Sequence, residues 1–136
     1  MIRDQKIRSE VAQEWQALRK LCDGSHRQAM VGLMYINETP PESFYNLPLI
    51  LAYGVLDQVL TELIDQGTIQ CVGKKRFLGD KMMISRNSLP WQNYSIVDAG
   101  KTARNELAHD AKLLGKNDCF AFIDAIEVEL KAWGVL

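Results

Sequence analysis

The stretch PLILAYGVLDQVLTELIDQG, residues 48–67, decides the fold. Leu49, Ala52, Leu56, Val59, Leu60 and Leu63 recur at helical spacing and draw one wide apolar stripe. The first half is apolar almost all round, which is what the central, most buried helix of a domain requires. Pro48 falls where a first helical position loses nothing by lacking an N–H, and Gly67 falls where a helix end turns left-handed. This stripe is read as core packing and given no other role.

Working outward, the segment from Asp4 to Cys22 carries Val11, Trp15, Leu18 and Cys22 on one face of a charged helix, and Asp23-Gly24 ends it. Ser25 and Gln28 have the spacing of a capping box, which predicts a second helix with Ala29, Met30, Leu33 and Met34 on its apolar side. The run AMVGLMYI would also suit a strand. A loop, NETPPE, follows. Beyond the central helix lie a basic loop, GKKR at 73–76, and a short helix over Leu78–Ser85. SRNSLPW is a turn-rich link. A helix is expected from Ser95 to Leu114, with Ser95 and Asp98 as a capping box and Gly115 as its stop. The last helix is expected from Asp118 to Trp133, with Cys119, Phe122, Ile123, Ile126, Leu130 and Trp133 as its stripe and Gly134 as its end. The sum is an all-α, up-and-down bundle of four to five helices in a single domain over 1–136, an N-terminal helical segment (1–40) joined to a bundle (45–134). The one stretch resembling a hairpin is TIQCVGKKRF.

Composition narrows the function classes. The apolar fraction is 47%, ordinary for a core-forming chain. No apolar run approaches the roughly 18 residues a bilayer span needs, and MIRDQKIRSE lacks the apolar region of a secretory signal. A cytoplasmic protein without a membrane partner is expected. The formal net charge of -1 argues against a protein that coats nucleic acid at large, while leaving room for a local basic patch. Cys22, Cys71 and Cys119 are odd in number and far apart, so they are expected as reduced, mostly buried thiols. The chain shows no cluster of metal ligands and no C-x-x-C pair, and no metal or cofactor is expected.

One polar stretch stands out, RNELAHD at 104–110, inside the predicted helix 95–114. At about 100° per residue, Ile96, Ala99, Ala103, Leu107 and Leu114 fall on one stripe, the expected core side. Asn105 and His109 share a face nearly opposite, with Asp98, Lys101 and Lys112, and Arg104 lies on the flank. A core histidine would sit on the apolar stripe, and His109 does not. Ordinary solvated residues on a polar helix face account for the spacing taken alone.

The fuller pattern, Arg104-Asn105-Glu106-Leu107-Ala108-His109, resembles the HEPN superfamily, small all-helical domains whose signature is Arg, a polar residue, variable positions and His. The long apolar helix before the motif, the short helix and turn-rich link between them, and the amphipathic closing helix fit the same pattern over residues 45–134. The resemblance implies a metal-independent endoribonuclease acting as a homodimer, of the toxin or abortive-infection (defence) type, with Arg104, Asn105 and His109 as catalytic residues. It implies RNA, such as tRNA or mRNA, as substrate, and an antitoxin or inhibitor protein as a further partner. One subgroup carries a tyrosine two residues after the histidine, which its antitoxin modifies. Ala111 stands there, so that mode of control is not expected.

Side-chain chemistry agrees with the resemblance. RNA carries its own nucleophile, the 2′-hydroxyl. An imidazole can move a proton near neutral pH, and a guanidinium can hold phosphate oxygens as charge builds on them. The amide of Asn105 can orient either the phosphate or His109. One chain supplies one such imidazole, whereas acid and base each need a group, so two copies related by a two-fold axis are expected to share the site. Lys101 and Lys112 on the same face, and Lys74, Lys75 and Arg76 in the basic loop, are the candidate RNA-binding residues. The competing expectation is a HEPN-like binding module, or a purely structural dimeriser, that keeps the fold without the chemistry.

Overall fold

Helix α1 (Gln5–Asp23) opens the chain in the computed structural model, which describes residues 1–23, 27–31, 34–38 and 40–136, with the backbone alone for the two strands. Strands β1 (Arg27–Val31) and β2 (Met34–Glu38) follow, then a 3-10 turn (Glu42–Tyr45) leading into α2 (Asn46–Asp65). Helices α3 (Leu78–Ser85), α4 (Tyr94–Asp110) and α5 (Lys116–Ala132) complete an all-α bundle. Helix α2 packs against the other four helices, as its all-round apolar first half requires. Leu49, Ala52, Leu56, Val59, Leu60 and Leu63 are fully buried and meet Val11 and Leu18 of α1 and Ile123, Ile126 and Leu130 of α5 in one core.

The second helix predicted from Ser25 and Gln28 is replaced by an antiparallel hairpin, with Arg27 opposite Glu38 and Val31 opposite Met34. Gly32 mid-helix would have cost about 1 kcal/mol relative to alanine, and Tyr35 and Ile36 favour extended backbone. Ser25, His26 and Leu33 lie outside the described residues. The hairpin-like stretch TIQCVGKKRF forms turns and no strand.

By composition, Glu42–Asp65 is long and apolar enough to cross a membrane, its most apolar 18-residue stretch having a mean hydropathy of 1.5, yet half of that stretch is buried inside the bundle. The other half includes Leu47, Ile50 and Leu51, which are exposed. Cys22, Cys71 and Cys119 are free thiols. Burial pushes the Cys22 thiol up, and that of Cys119 up to about 11.

Helix α1 is fastened to α5 by a polar cluster. The Arg19 guanidinium donates to both Glu127 oxygens, from Nε at 3.2 Å and Nη2 at 3.0 Å, and to Asp124 Oδ1 at 2.6 Å. Trp15 Nε1 donates to Glu127 Oε1 at 2.8 Å. The hydrogen bonds from Arg19 and Trp15 hold the Glu127 carboxyl down at about 2, against 4.5 for a free one. A depressed carboxyl contributes stability that is whole above about pH 4.5 and is lost as pH falls towards 2. Thermal melts across that window are therefore expected to fall more steeply for the native chain than for Glu127→Gln. Parallel slopes would show that the cluster adds nothing to folding.

Helix α4 differs from expectation in length and rotation. It ends at Asp110, because Ala111 adopts a left-handed conformation (φ 53). Gly115, expected to stop α4, instead precedes α5 as its N-cap residue. Its buried residues are Val97 and Gly100, with Arg104 and Leu107 half-buried beyond them. Ile96 is 45% exposed and Ala99 is also exposed, while Leu107 stays inward, so the core face is turned from the predicted stripe by somewhat less than the roughly 100° of one residue. Gly100 gives the reason. A methyl group there would land on the Tyr53 hydroxyl and within 2.7 Å of the Phe122 ring, so only a glycine lets α4 come this close to α2 and α5. Tyr53 Oη donates to the Val97 carbonyl at 2.7 Å and fixes the approach. Gly100→Ala is expected to destabilise by about 1–3 kcal/mol through overpacking, despite the better helix propensity of alanine. A urea midpoint at or above the native one would refute this.

Candidate functional site

The rotation of α4 relocates the motif residues. Arg104 leaves the predicted flank and leans inward, its guanidinium carbon 5.8 Å from the centre of the Tyr53 ring. Nη2 donates to Asn105 Oδ1 at 3.1 Å. Nε is buried without a partner among the described residues. Burial of Tyr53 pushes its phenol well above the ordinary range, while the Arg104 charge acts in the opposite direction. Tyr53 is therefore a neutral donor to Val97 and a flat support for the guanidinium.

Lys101, one turn before Arg104, ion-pairs with Asp98 Oδ1 at 2.7 Å and lies against Gly79 at the start of α3. Together Phe77, Leu78, Gly79, Asp80, Lys101, Arg104 and Asn105 line a shallow cleft of about 280 Å³. The cleft thus has two cations and an amide on its α4 wall, and Asp80 with the first turn of α3 opposite. Phe77, the N-cap of α3, makes no side-chain cap hydrogen bond, so the turn's backbone N–H groups retain donor capacity.

His109 is exposed in the last turn of α4 and does not line this cleft. It lies five positions beyond Arg104, about 7.5 Å along the axis. Its place at a helix C-terminus is also one that favours a cation in any helix. Lys112 is exposed beyond the helix end. Lys74, Lys75 and Arg76 stand apart from the motif, where Lys74 and Lys75 line a second depression with Lys81. Of the predicted residues, the structure brings together Lys101, Arg104 and Asn105. It leaves His109, Lys112 and Arg76 in solvent. Among the described residues no three His, Cys, Asp or Glu side chains gather as metal ligands would.

Three supporting residues escaped the sequence reading. Glu129 of α5 is fully buried, and its carboxylate accepts from the backbone N–H groups of Gln92, at 2.9 and 3.0 Å, and Asn93. It thereby anchors the start of α4. Asn46 holds the far end: its side chain donates to the Leu114 carbonyl at 2.9 Å and accepts from the Leu114 N–H at 3.1 Å. Lys81, in the middle of α3, is buried against Asp57 and Thr61. The only signal for each was a polar residue on an apolar face. No family model matches the chain, and comparison with curated proteins and with solved structures returned no match.

Proposed function

We propose that the protein is a metal-independent endoribonuclease of the HEPN type, acting as a homodimer on single-stranded regions of RNA. The observation that carries this reading is the hydrogen-bonded Arg104–Asn105 pair lining a cleft, with His109 exposed further along the same helix. In the reaction the 2′-oxygen forms a bond to phosphorus and the bond from phosphorus to the 5′-oxygen breaks. One imidazole takes the 2′-hydroxyl proton and a second protonates the departing oxygen. Arg104 neutralises the charge on the non-bridging oxygens, and Asn105 orients its guanidinium. The second imidazole is the His109 of another copy. Leu47, Ile50 and Leu51, exposed on α2, offer apolar surface for association of two copies, with Ile50 and Leu51 beside Leu21 of α1.

The test is incubation of the purified chain with total tRNA and mRNA in EDTA. Fragments ending in 2′,3′-cyclic phosphate and 5′-hydroxyl are expected, from a species that sediments as a dimer. Growth inhibition on expression, relieved by His109→Ala, would place the activity in the toxin or defence class. The inward lean of Arg104 over Tyr53 favours one second reading, a non-catalytic binding module in which the guanidinium pins α4 to α2. Intact RNA after prolonged incubation of the dimer would favour it.

A further inference from the structure

The loop at 71–77, CVGKKRF, separates two depressions. On one side Phe77 borders the cleft of Arg104 and Lys101. On the other, Lys74 and Lys75 close a cavity of about 460 Å³ against Thr61, Asp65 and Lys81. Lys81 is only 7% exposed. Its ammonium donates to Asp57 Oδ1 at 2.8 Å and Thr61 Oγ1 at 2.9 Å. An ammonium has three donors, so one remains for an acceptor in the cavity. Asp57 is neutralised by Lys81, and Lys74 and Lys75 are in no ion pair among the described residues. They outweigh Asp65, the one carboxylate in the lining. At the edge of the Arg104 cleft the Phe77 ring stands 71% exposed. A single exposed phenylalanine is common on protein surfaces. One that lines the Arg104 cleft, two residues along the loop from Lys75, has the arrangement that single-stranded nucleic acid uses, a flat face for a base with cations for the flanking phosphates.

We infer that this loop is the path of single-stranded RNA, with a base stacked on Phe77, one flanking phosphate in the Arg104 cleft and the next in the Lys74–Lys75–Lys81 cavity. The inference takes its ligand from the ribonuclease reading and shares the Arg104 cleft with it, but is tested on Phe77, Lys74 and Lys75, which that reading does not use. A duplex keeps its bases stacked internally and offers no free face to Phe77, so the ligand is single-stranded.

The test uses the full chain carrying His109→Ala, so that bound RNA stays intact, and fluorescence anisotropy with a labelled single strand of about a dozen nucleotides. Phe77→Ala is expected to weaken binding about tenfold, and Phe77→Trp to retain it. The double change Lys74→Ala and Lys75→Ala is expected to weaken binding and to flatten the log–log salt dependence by about 1.4. Duplex RNA of equal length should not respond to Phe77→Ala. These side chains are largely in solvent, and melting curves check that each variant folds. Single-strand affinity unchanged in both the Phe77 and the lysine variants would overturn the inference, even if His109 proves essential for cleavage. Phe77-dependent binding by a chain that cuts no RNA would uphold the inference and overturn the ribonuclease reading. No binding of RNA at all would overturn both.

Discussion

Replacing His109 with alanine is expected to lower RNA cleavage by roughly 10²–10⁴-fold, the range removed with a general acid or base, and to leave the melting temperature nearly unchanged. The two halves of that expectation have different sources. The rate effect follows from the proposed chemistry, in which this imidazole moves a proton and no side chain lining the motif cleft is given that task. The small stability effect follows from placement, since the ring is exposed and makes no hydrogen bond among the described residues. Arg104→Ala is expected to separate from it. Its loss of rate should be about 10²–10³-fold, as for a group holding developing negative charge. It should also melt lower, because the guanidinium packs over Tyr53 and bonds to Asn105. Single-turnover cleavage in EDTA, with thermal melts of both variants, measures the pair. If His109→Ala cuts RNA as fast as the native chain, the proton-transfer role is wrong. If Arg104→Ala alone matters, and only through its melting point, Arg104 is a structural pin.

Glu129→Ala should destabilise the fold by about 2–4 kcal/mol, as much as truncating a buried leucine. Burying a carboxylate is costly, and this one is held by charge-assisted bonds to two successive backbone N–H groups at the start of α4. Alanine would leave those N–H groups without acceptors, at about 1–3 kcal/mol each, partly offset by removing a buried charge. Glu129→Gln keeps one accepting oxygen and should lie between the two. Urea denaturation gives the energies. Amide exchange at the start of α4 should rise in the alanine variant before global unfolding. A change below about 0.5 kcal/mol for alanine would mean that water replaces the carboxylate, and the anchoring role would fall.

The central helix was legible because its stripe is wide and its ends carry proline and glycine. The Leu78–Ser85 helix was read with its observed bounds, and α5 to within a few residues. Residues 27–38 were not legible as a hairpin. A capping-box spacing at Ser25 and Gln28 competed there with a glycine and extended-favouring side chains, and local pattern alone did not rank them. The rotation of α4 escaped for a different reason. Hydropathy weights Ile96 and Ala99 above Gly100, yet close packing chose the residue with no side chain, because Tyr53 and Phe122 needed the room. That choice turned Arg104 towards α2. The spacing of Arg104, Asn105 and His109 was readable from the sequence. Which of them share a cleft was not, since this depends on how the whole helix is seated. Lys81 and Glu129 carry no local signature, because their partners are 24 and 36 residues away.

The motif helix is gripped at both extremities by side chains from other parts of the bundle, Glu129 at its start and Asn46 just beyond its end. If expression inhibits growth, as the proposed function expects, a genetic selection for survivors would therefore collect lesions at these two positions alongside those at His109. Survivors with normal protein abundance would trace the chemistry. Survivors with depleted protein would trace the clamps.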